Sequence, residues 1–495
     1  MNHSGNISLF DFIALLLSDL KENSTRYAGL QVKSRGIHCE YQKFIDDLID
    51  EVKDNYRQND KDLLQNIVTD GIPPDIFNQY VTNEEFRKNT DAVYQLASDA
   101  AKSFLSPDNL LKASQEAYKL ANNKDHTTGF KQLNSDQSVK ETGYILLPDL
   151  GTFGNKMSKS TTRYEKIWLK NLIILTPDDL VTKDKTLFEV RNVIADKHSH
   201  LQQTTDNATL TFALSPICDR WLLKDSPVIY ENEFGTKEYR FQIDGLTDED
   251  FITRRVKSAY RTACEYKPHL LMFPEMYGTE NLSRHADEII RNASDGDGPL
   301  IIMPSWWHDQ TNEAPVMDDS LTPLCSQSKH SPFLYMVGEP GELEDLEHHE
   351  NLVYLFHYPD IGRICVCICK DFLMDSYRRM LCESLEASII LVPAFTPEID
   401  SFKNCMDGLK QSGTYGLFIN CCAARANPGG VYTPINSKCI VGEVSLTRSA
   451  GTKYGSPYRL LKPQCNGVCG GPDTCCVFIV TITSSGRIKV KHIHK

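Results

Sequence analysis

Apolar residues in the first quarter of the chain recur every three to four positions, a spacing that predicts amphipathic helices. This helical pattern of apolar residues runs from Leu9 to about Ala121. Its clearest apolar stripe, which should face a core, comprises Phe44, Ile45, Leu48, Ile49 and Val52. The pattern predicts a helical N-terminal domain at residues 1–125. Helical packing accounts for this sequence, and no chemistry is indicated in it.

The chain changes character between about Asn122 and Thr142, where polar residues dominate and predict a linker or exposed loop. Three apolar runs follow at Tyr144–Leu147, Ile167–Leu175 and Leu187–Ile194, and each predicts a β-strand. These strands either complete the first unit or form a separate one. We therefore assign residues 126–204 as a linker and mixed α/β segment.

From Thr209 onward, strand-like and helix-like segments alternate, which is typical of an α/β layered domain. Asp250 is predicted to cap a helix. A buried strand, Leu270–Phe273, follows that helix and ends just before Glu275. Segments of the same kind continue along the chain, with a polar loop predicted at Asp309–Gln327, so we predict that residues 205–495 form an α/β domain.

Length and composition limit how many structural units and which kinds of binding partner are expected. A chain of 495 residues exceeds what one hydrophobic core usually organises, so two or three structural units are expected. With 53 basic and 66 acidic residues, the formal net charge of -13 would repel polyanions. Nucleic acid is therefore not favoured as a direct ligand.

No apolar run reaches the roughly 20 residues needed to cross a bilayer, so no membrane association is expected. The segment Met1–Phe10 lacks the basic-then-apolar order of a secretory signal. Disulfide scaffolds are usually small secreted domains, so the sixteen cysteines of this long chain are expected to be reduced thiols. A cytoplasmic protein is predicted.

Glu275 follows a buried apolar strand, at the position where α/β folds usually place ligands and reacting groups. It is a candidate general base on that ground. A glutamate after a strand is, however, more often a charge at a helix N-terminus. A catalytic assignment therefore needs partners elsewhere in the chain.

Cys369 ends a second apolar strand, Arg363–Ile368, and precedes a segment, Met374–Leu385, that is predicted to be helical. A thiol at a strand-to-helix junction meets the field of the helix N-terminus and of nearby cations, which lowers its pKa and favours a thiolate nucleophile. Cys365 and Cys367 lie inside the strand and are predicted to be small core residues.

Two segments around these residues resemble the nitrilase, or carbon-nitrogen hydrolase, superfamily. Leu270–Tyr277, reading LLMFPEMY, is similar to the glutamate motif of that family, in which an apolar strand delivers a Pro-Glu pair. Gly362–Leu381 is similar to the family's cysteine motif. The Cys, Asp, Arg and Leu of that motif correspond to Cys369, Asp371, Arg379 and Leu381.

The spacer of the cysteine motif departs from the family, because Met374-Asp375-Ser376 replaces the usual Phe-Pro-Glu. Downstream, Ala387–Phe395 resembles the next strand of the family, and Tyr415–Ala423 resembles the strand after it, which ends in an asparagine, here Asn420. A second glutamate often supports the lysine of the family. Glu339 and Glu350 are both candidates for that role.

The third catalytic residue of the family is a lysine in a loop between the other two. Lys329 corresponds to it best, 54 residues after Glu275 and 40 residues before Cys369. Lys370 is the alternative because it adjoins the thiol. Consecutive backbone positions point their side chains apart, however, so Lys370 should point away from Cys369.

The resemblance covers roughly residues 205–495 and implies the four-layer α-β-β-α sandwich of the superfamily, which often assembles into homo-oligomers. It implies a triad in which Glu275 is the base, Lys329 stabilises the oxyanion and Cys369 is the nucleophile. The expected reaction is hydrolysis of a small-molecule amide or nitrile, with acyl transfer to an amine as a variant. This chemistry requires no metal or organic cofactor.

Three further residues are candidates for substrate binding. Trp306 and Phe395 lie on predicted loops after strands, although aromatic residues are more often part of a core, and Lys370 lies beside the nucleophile. The alternative function is a catalytically degenerate binding or signalling module, such as a component of a bacterial defence system. The helical extension keeps this alternative open because it suggests a protein partner.

The end of the chain gathers Cys465, Cys469, Cys475 and Cys476 in a glycine-rich stretch, with Cys439 upstream. Such a cluster raises the possibility of a zinc site. A standard site has two close pairs separated by a longer loop, whereas two of these cysteines are adjacent. The spacing therefore favours thiols in a flexible turn over a metal site.

Overall fold

We describe a computed structural model of the chain, which divides into two compact units, one before and one after residue 195. The residues that the structure describes are 6–23, 39–57, 71–104, 136–148, 172–193, 209–231, 233–284, 286, 298–318, 321, 323–335, 341–347, 351–358, 361–432, 440–445, 458–465, 468–483 and 487–495. The mixed α/β class that the sequence predicts is confirmed.

The first unit combines helices with a two-stranded antiparallel sheet. Its elements are α1 (Leu9–Asn23), α2 (Cys39–Arg57), α3 (Pro74–Thr82), α4 (Glu84–Lys88), α5 (Thr90–Phe104), α6 (Asp136–Thr142), β1 (Ile145–Pro148), β2 (Leu172–Leu175) and β3 (Glu189–Val193). Part of the segment predicted to be a linker is thus helical.

The apolar stripe of α2 faces the core of the first unit, as its spacing predicts. Ile45, Leu48, Ile49 and Val52 are buried, and Phe44 packs against them from a partly buried position. Strands β1 and β2 contribute residues to the same core. These strands therefore belong to the first unit.

The second unit alternates strands and helices. Its elements are β4 (Thr209–Leu214), β5 (Leu223–Glu231), β6 (Lys237–Leu246), α7 (Glu249–Cys264), β7 (Leu270–Met272), α8 (Glu280–Arg284), β8 (Leu300–Ile302), β9 (Trp306–His308), β10 (Thr311–Met317), β11 (Pro323–Ser328), β12 (Leu334–Tyr335), β13 (Glu342–Glu344), β14 (Leu352–Tyr358), β15 (Gly362–Val366), α9 (Lys370–Leu373), α10 (Asp375–Arg379), β16 (Ile389–Ala394), α11 (Asp400–Ser412), β17 (Tyr415–Asn420), β18 (Gly442–Ser445), β19 (Tyr458–Leu461), β20 (Cys476–Thr483) and β21 (Ile488–His494).

These strands form three sheets. The first sheet runs in the order β11-β10-β8-β7-β4-β20-β21, and β9 pairs with β10. In the second sheet, the strands of this unit run in the order β19-β18-β17-β16-β15-β14. A smaller sheet runs β12-β13-β6-β5. Helix α7 packs on β20 of the first sheet, and α11 packs on β17 and β18 of the second.

Both larger sheets have a parallel centre, made by β4, β7 and β8 in the first sheet and by β15, β16 and β17 in the second. These strands are short, and all except β4 are buried along their length. The carboxyl ends of parallel strands share one edge of a sheet, so the segments that follow them lie close together.

Two local predictions in this unit were wrong. The cap of α7 is Asp248, whose carboxylate accepts a hydrogen bond of 3.0 Å from the N–H of Phe251, and Asp250 lies in the first turn instead. The segment Asp309–Gln327, which was predicted to be a loop, contains β10 and most of β11. Polar residues disguise these strands, because Asn312 and Gln327 are buried and hydrogen-bonded inside the unit.

Among the described residues, no helix has both the length and the apolar character needed to cross a membrane. This agrees with the apolar pattern of the sequence.

Candidate active site

The three residues predicted as a triad converge from different elements of the second unit. Glu275 follows β7 in the first sheet, and Cys369 follows β15 in the second sheet. Lys329 comes directly after β11, at the end of a hairpin. Side chains that are far apart in the sequence thus meet where strands of both sheets end.

Lys329 is buried between two carboxylates. Its Nζ lies 2.8 Å from Oε1 of Glu275 and 2.5 Å from Oε2 of Glu344, and all three side chains are at most 1% exposed. Burial alone would lower the pKa of Lys329, but the two carboxylates raise it well above its ordinary value. The ammonium is therefore held in its charged form.

Glu275 accepts hydrogen bonds at both carboxylate oxygens. Oε1 accepts from Lys329 and, at 2.9 Å, from Nδ2 of Asn312, while Oε2 accepts from the backbone N–H of Phe395 at 2.9 Å. The Phe395 contact joins the first sheet to the second. A carboxylate with three donors has a fixed orientation, which is what a positioned general base requires.

Glu344 completes the charge arrangement from the small sheet, at the end of β13. Oε2 also accepts the backbone N–H of Phe333 at 3.0 Å. Burial raises the pKa of Glu344; the positive charge of Lys329 opposes that rise, and the negative charge of Glu275 adds to it. Two carboxylates and one ammonium leave one excess negative charge in a buried space. The excess negative charge therefore favours the binding of one proton by the two carboxylates.

Cys369 is 1% exposed and has the backbone angle φ 45, a left-handed conformation that is costly for a residue with a side chain. Its N–H donates to the carbonyl of Pro393 at 2.9 Å, which fixes this turn. The thiol interacts with the carboxylate of Glu275 and with the charge of Lys329. Backbone strain at a residue whose thiol interacts electrostatically with Glu275 and Lys329 marks this turn as a functional candidate.

The prediction that the site lowers the pKa of this thiol was wrong. Burial raises the pKa of Cys369 well above its ordinary value, the negative charge of Glu275 adds to this, and Lys329 only partly opposes it. Burial could not be judged from the sequence. The sulfur therefore rests as a neutral thiol and needs a base at the moment of attack.

Asp371 links the turn at Cys369 to the loop that carries Lys329. It is 1% exposed, and its carboxylate accepts the backbone N–H of His330 at 2.9 Å and that of Ser331 at 2.6 Å. Burial raises the pKa of Asp371 to about 6, against the opposing effect of these donors. Because His330 directly follows Lys329, this carboxylate fixes the loop that presents the lysine.

Asn420, at the end of β17, holds the segment after β16 in the same way. Its Oδ1 accepts the N–H of Thr396, and its Nδ2 donates to the carbonyl of Thr396, both at 2.9 Å. Thr396 follows Phe395, whose N–H binds Glu275. The asparagine therefore acts on the base through two backbone segments.

A cavity of about 590 Å³, including its space open to solvent, leads to Glu275 and Lys329. Most of its wall is apolar or aromatic, and two acidic side chains, Asp225 and Glu342, complete it. The aromatic lining residues are Trp221, Phe241, Phe333, Tyr335 and Phe395. A cavity of this kind accommodates a small molecule with an apolar body.

Of the three predicted substrate-binding residues, Phe395 lines this cavity and Trp306 and Lys370 are not among the described residues that do. The Trp306 ring packs on His308, with ring centres 3.9 Å apart, in the short strand β9. Lys370 begins α9 and is partly buried.

Sequence analysis missed Glu344 and Asn312, which contact Lys329 and Glu275 respectively. Both candidates for the second glutamate, Glu339 and Glu350, lie outside the described residues. Glu344 lies in a strand of three residues, and Asn312 lies in a segment that was predicted to be a loop. The short apolar run Ala314–Met317 is the signal that could have indicated a strand there, although Pro315 weakens it.

No protein-family model matches the sequence, and no curated protein is similar to it. Solved structures that are similar to part of the chain include the glutamine-dependent NAD+ synthetase of Acinetobacter baumannii, with 15% identity and a TM-score of 0.34 over 57% of this chain and 47% of that one. This match thus spans about half the length of the synthetase.

Two other similar structures are Nit3 of Saccharomyces cerevisiae, a member of branch 10 of the nitrilase superfamily, and the NitFhit protein of C. elegans. Nit3 has 10% identity and a TM-score of 0.33 over 58% of this chain and 90% of that one. NitFhit has 11% identity and a TM-score of 0.33 over 56% and 61%. TM-scores this low do not establish a shared fold.

The Asp371 bridge predicts a stability effect. We expect Asp371→Ala to lower the free energy of unfolding by about 2 to 4 kcal/mol at neutral pH, because two buried backbone N–H groups lose their acceptor. Urea unfolding monitored by tryptophan fluorescence measures this. The control is Asp375→Ala, four residues later, where the side chain is 71% exposed and pairs only with Arg378 across one helical turn. Equal stability of the two variants would contradict the bridge.

Proposed function

We propose that this protein hydrolyses a carbon-nitrogen bond of a small amide or nitrile, with Cys369 as nucleophile, Glu275 as general base and Lys329 as electrostatic stabiliser. The observation that carries the proposal is a buried ammonium paired with an oriented carboxylate at the end of a cavity, with the buried thiol of Cys369 in electrostatic interaction with both. Sequence similarity to the carbon-nitrogen hydrolase superfamily in the two motifs also supports it.

The first step follows from the raised pKa of the thiol. The proton on Cys369 passes to the carboxylate of Glu275 as the sulfur attacks the amide carbonyl or nitrile carbon. A carbon-sulfur bond forms, and the electron pair of the double or triple bond moves to oxygen or nitrogen. The proton thereby enters a site that already carries excess negative charge, which favours the transfer.

Lys329 faces the charge that develops on the attacked group. We propose that its ammonium and the backbone N–H of Lys370 stabilise this charge, since preformed donors cost little reorganisation at the moment of reaction. Glu275 then gives the proton to the departing nitrogen as the carbon-nitrogen bond breaks. With an amide, this leaves a thioester on Cys369 and releases ammonia or an amine.

Water completes the cycle. Glu275 takes a proton from a water molecule that attacks the thioester, and the returning proton restores the thiol as the carboxylic acid leaves. A nitrile needs one additional water, because its first adduct is a thioimidate that must lose ammonia before or during hydrolysis. In both cases the residues of the site move only protons and form one covalent bond.

The cavity restricts the substrate. Its aromatic wall favours an apolar acyl group, and Asp225 and Glu342 favour a basic substituent over an acidic one. We also propose that the two larger sheets are the inner layers of an α-β-β-α sandwich. The packing of α7 on the first sheet and of α11 on the second supports this arrangement.

Turnover tests the nucleophile. Release of ammonia from a panel of apolar amides and nitriles should fall at least about 10³-fold in Cys369→Ala, because no other group supplies the covalent step. The matched control is Cys367→Ala, two residues earlier and equally buried. Retained turnover in Cys369→Ala would contradict the proposal, as would equal loss in both variants. Absence of turnover across the panel, together with binding of those compounds, would favour a degenerate binding module.

Glu344 provides a second test because it acts through Lys329. In Glu344→Gln the ammonium loses one of the charges that raise its pKa. We therefore expect the alkaline limb of the kcat–pH profile to move to lower pH and kcat at neutral pH to fall about 10- to 100-fold. Glu347→Gln, at an exposed glutamate three residues later, should leave the profile unchanged. An unshifted alkaline limb in Glu344→Gln would show that the carboxylate has only a structural role.

A further inference from the structure

The cysteines near the end of the chain converge at the edge of the first sheet. Sγ of Cys465 lies 3.7 Å from Sγ of Cys469 and 3.1 Å from Sγ of Cys476. Nε2 of His492 lies 3.0 Å from Sγ of Cys476. The ring of His494 also brings a nitrogen within 4.8 Å of the sulfurs of Cys465 and Cys469. Cys465, Cys469 and the ring of His494 form one group of close donor atoms, and Cys465, Cys476 and the ring of His492 form a second, so the two groups meet at Cys465.

The register of β20 and β21 explains why only one of the two adjacent cysteines takes part. Cys476 pairs directly with His494, and Phe478 pairs with His492, so these side chains lie on one face of the sheet. Cys475 precedes the strand, and its side chain points elsewhere: its Sγ lies 3.2 Å from Oγ1 of Thr262 on α7. The adjacency that counts against a metal site in the sequence is thus resolved by the fold.

We propose that Cys465, Cys469 and Cys476, together with one imidazole of β21, bind a structural zinc ion. Sulfur-rich sets of three cysteines and one histidine are a common donor set for structural zinc, which prefers four ligands in a tetrahedron. This site is separate from the triad and does not depend on the proposed reaction.

The distances fit a compact form of such a site. Zinc–sulfur bonds of about 2.3 Å place two tetrahedral sulfurs roughly 3.8 Å apart. The Cys465–Cys469 separation already has this value, and the 3.1 Å Cys465–Cys476 separation needs to widen by less than about 1 Å. Each thiol loses its proton to solvent on binding, so three protons leave as three zinc–sulfur bonds form.

A buried ion pair holds the backbone of Cys469. The guanidinium of Arg255, 1% exposed, donates to the carbonyl of Cys469, and the N–H of Cys469 donates to Asp219 at 2.8 Å. Arg255 and Asp219 also lie 3.4 Å apart, so the pair positions this ligand without adding net charge beside the cluster. Asp219 lies two residues before Trp221, which lines the catalytic cavity. The zinc would therefore also secure the segment that carries part of the cavity wall.

The hydrogen bonds indicate which histidine is the fourth ligand. The backbone N–H of Gln464 donates to Nδ1 of His492 at 3.2 Å, so the proton of that ring lies on Nε2, which faces the sulfur of Cys476. His492 is thus placed to donate a hydrogen bond to a thiolate. His494 then supplies the nitrogen that binds zinc.

The metal content of the full-length protein tests the proposal. After expression in zinc-supplemented medium and purification without chelator, elemental mass spectrometry should find about one zinc ion per chain. Cys469→Ser and Cys476→Ser should each reduce this to less than about a tenth. Cys475→Ser is the matched control and should retain the zinc. In case a variant fails to fold, cobalt substitution of the wild type should give the absorption band of thiolate-bound cobalt.

Three results would overturn the proposal. The first is a wild-type protein that has neither stoichiometric zinc nor the cobalt–thiolate band. The second is a Cys475→Ser variant that loses metal as fully as Cys476→Ser. The third is a Cys465–Cys476 disulfide in protein that is kept under reducing conditions. His494→Ala should lower zinc content more than His492→Ala, and the reverse order would overturn the assignment of the fourth ligand. Chelation of the zinc should also lower the thermal unfolding midpoint, since metal binding contributes to folding.

Discussion

The candidate site depends on one buried cation. Lys329 can remain charged in the interior only because Glu275 and Glu344 both contact its ammonium, at 2.8 and 2.5 Å. Removing one partner from such a buried pair typically costs about 3 to 5 kcal/mol, because a charge is left uncompensated. A lysine that only stabilised the fold could be replaced by an apolar residue of similar volume. Lys329 also lines the cavity, which is why we propose a chemical role for it.

The rest of the unit keeps these charges in place. Glu275 and Cys369 follow parallel strands of two different sheets, and backbone donors join the sheet ends. The N–H of Phe395 binds the base, Asn420 fixes the segment that carries Phe395, and Asp371 fixes the loop that carries Lys329. Each of these contacts uses a side chain on one segment to orient the backbone of another. The geometry of the site is therefore a property of the whole strand arrangement.

The site residues that follow apolar strands could be predicted from the sequence. Glu275 and Cys369 were found in this way, whereas Lys329 was found only through resemblance, because a lysine in a loop has no local signature. Glu344 could not be found, since its role depends on the pairing of β13 with β6 and on the path of the lysine loop. The direction of the Cys369 pKa shift depends on burial, which no local pattern reports. The convergence of Cys465, Cys469 and Cys476 could not be predicted for a similar reason, because sequence spacing does not show which face of a strand a side chain occupies.

The central claim is that Glu275 activates the sulfur of Cys369. Its most direct test is the rate at which iodoacetamide, a small amide that fits the cavity, alkylates each cysteine, measured by peptide mass spectrometry. The account predicts that Cys369 reacts faster than the equally buried Cys367 and that Glu275→Gln removes this difference. Alkylation of Cys369 at the rate of Cys367, or at a rate that Glu275→Gln leaves unchanged, would contradict it.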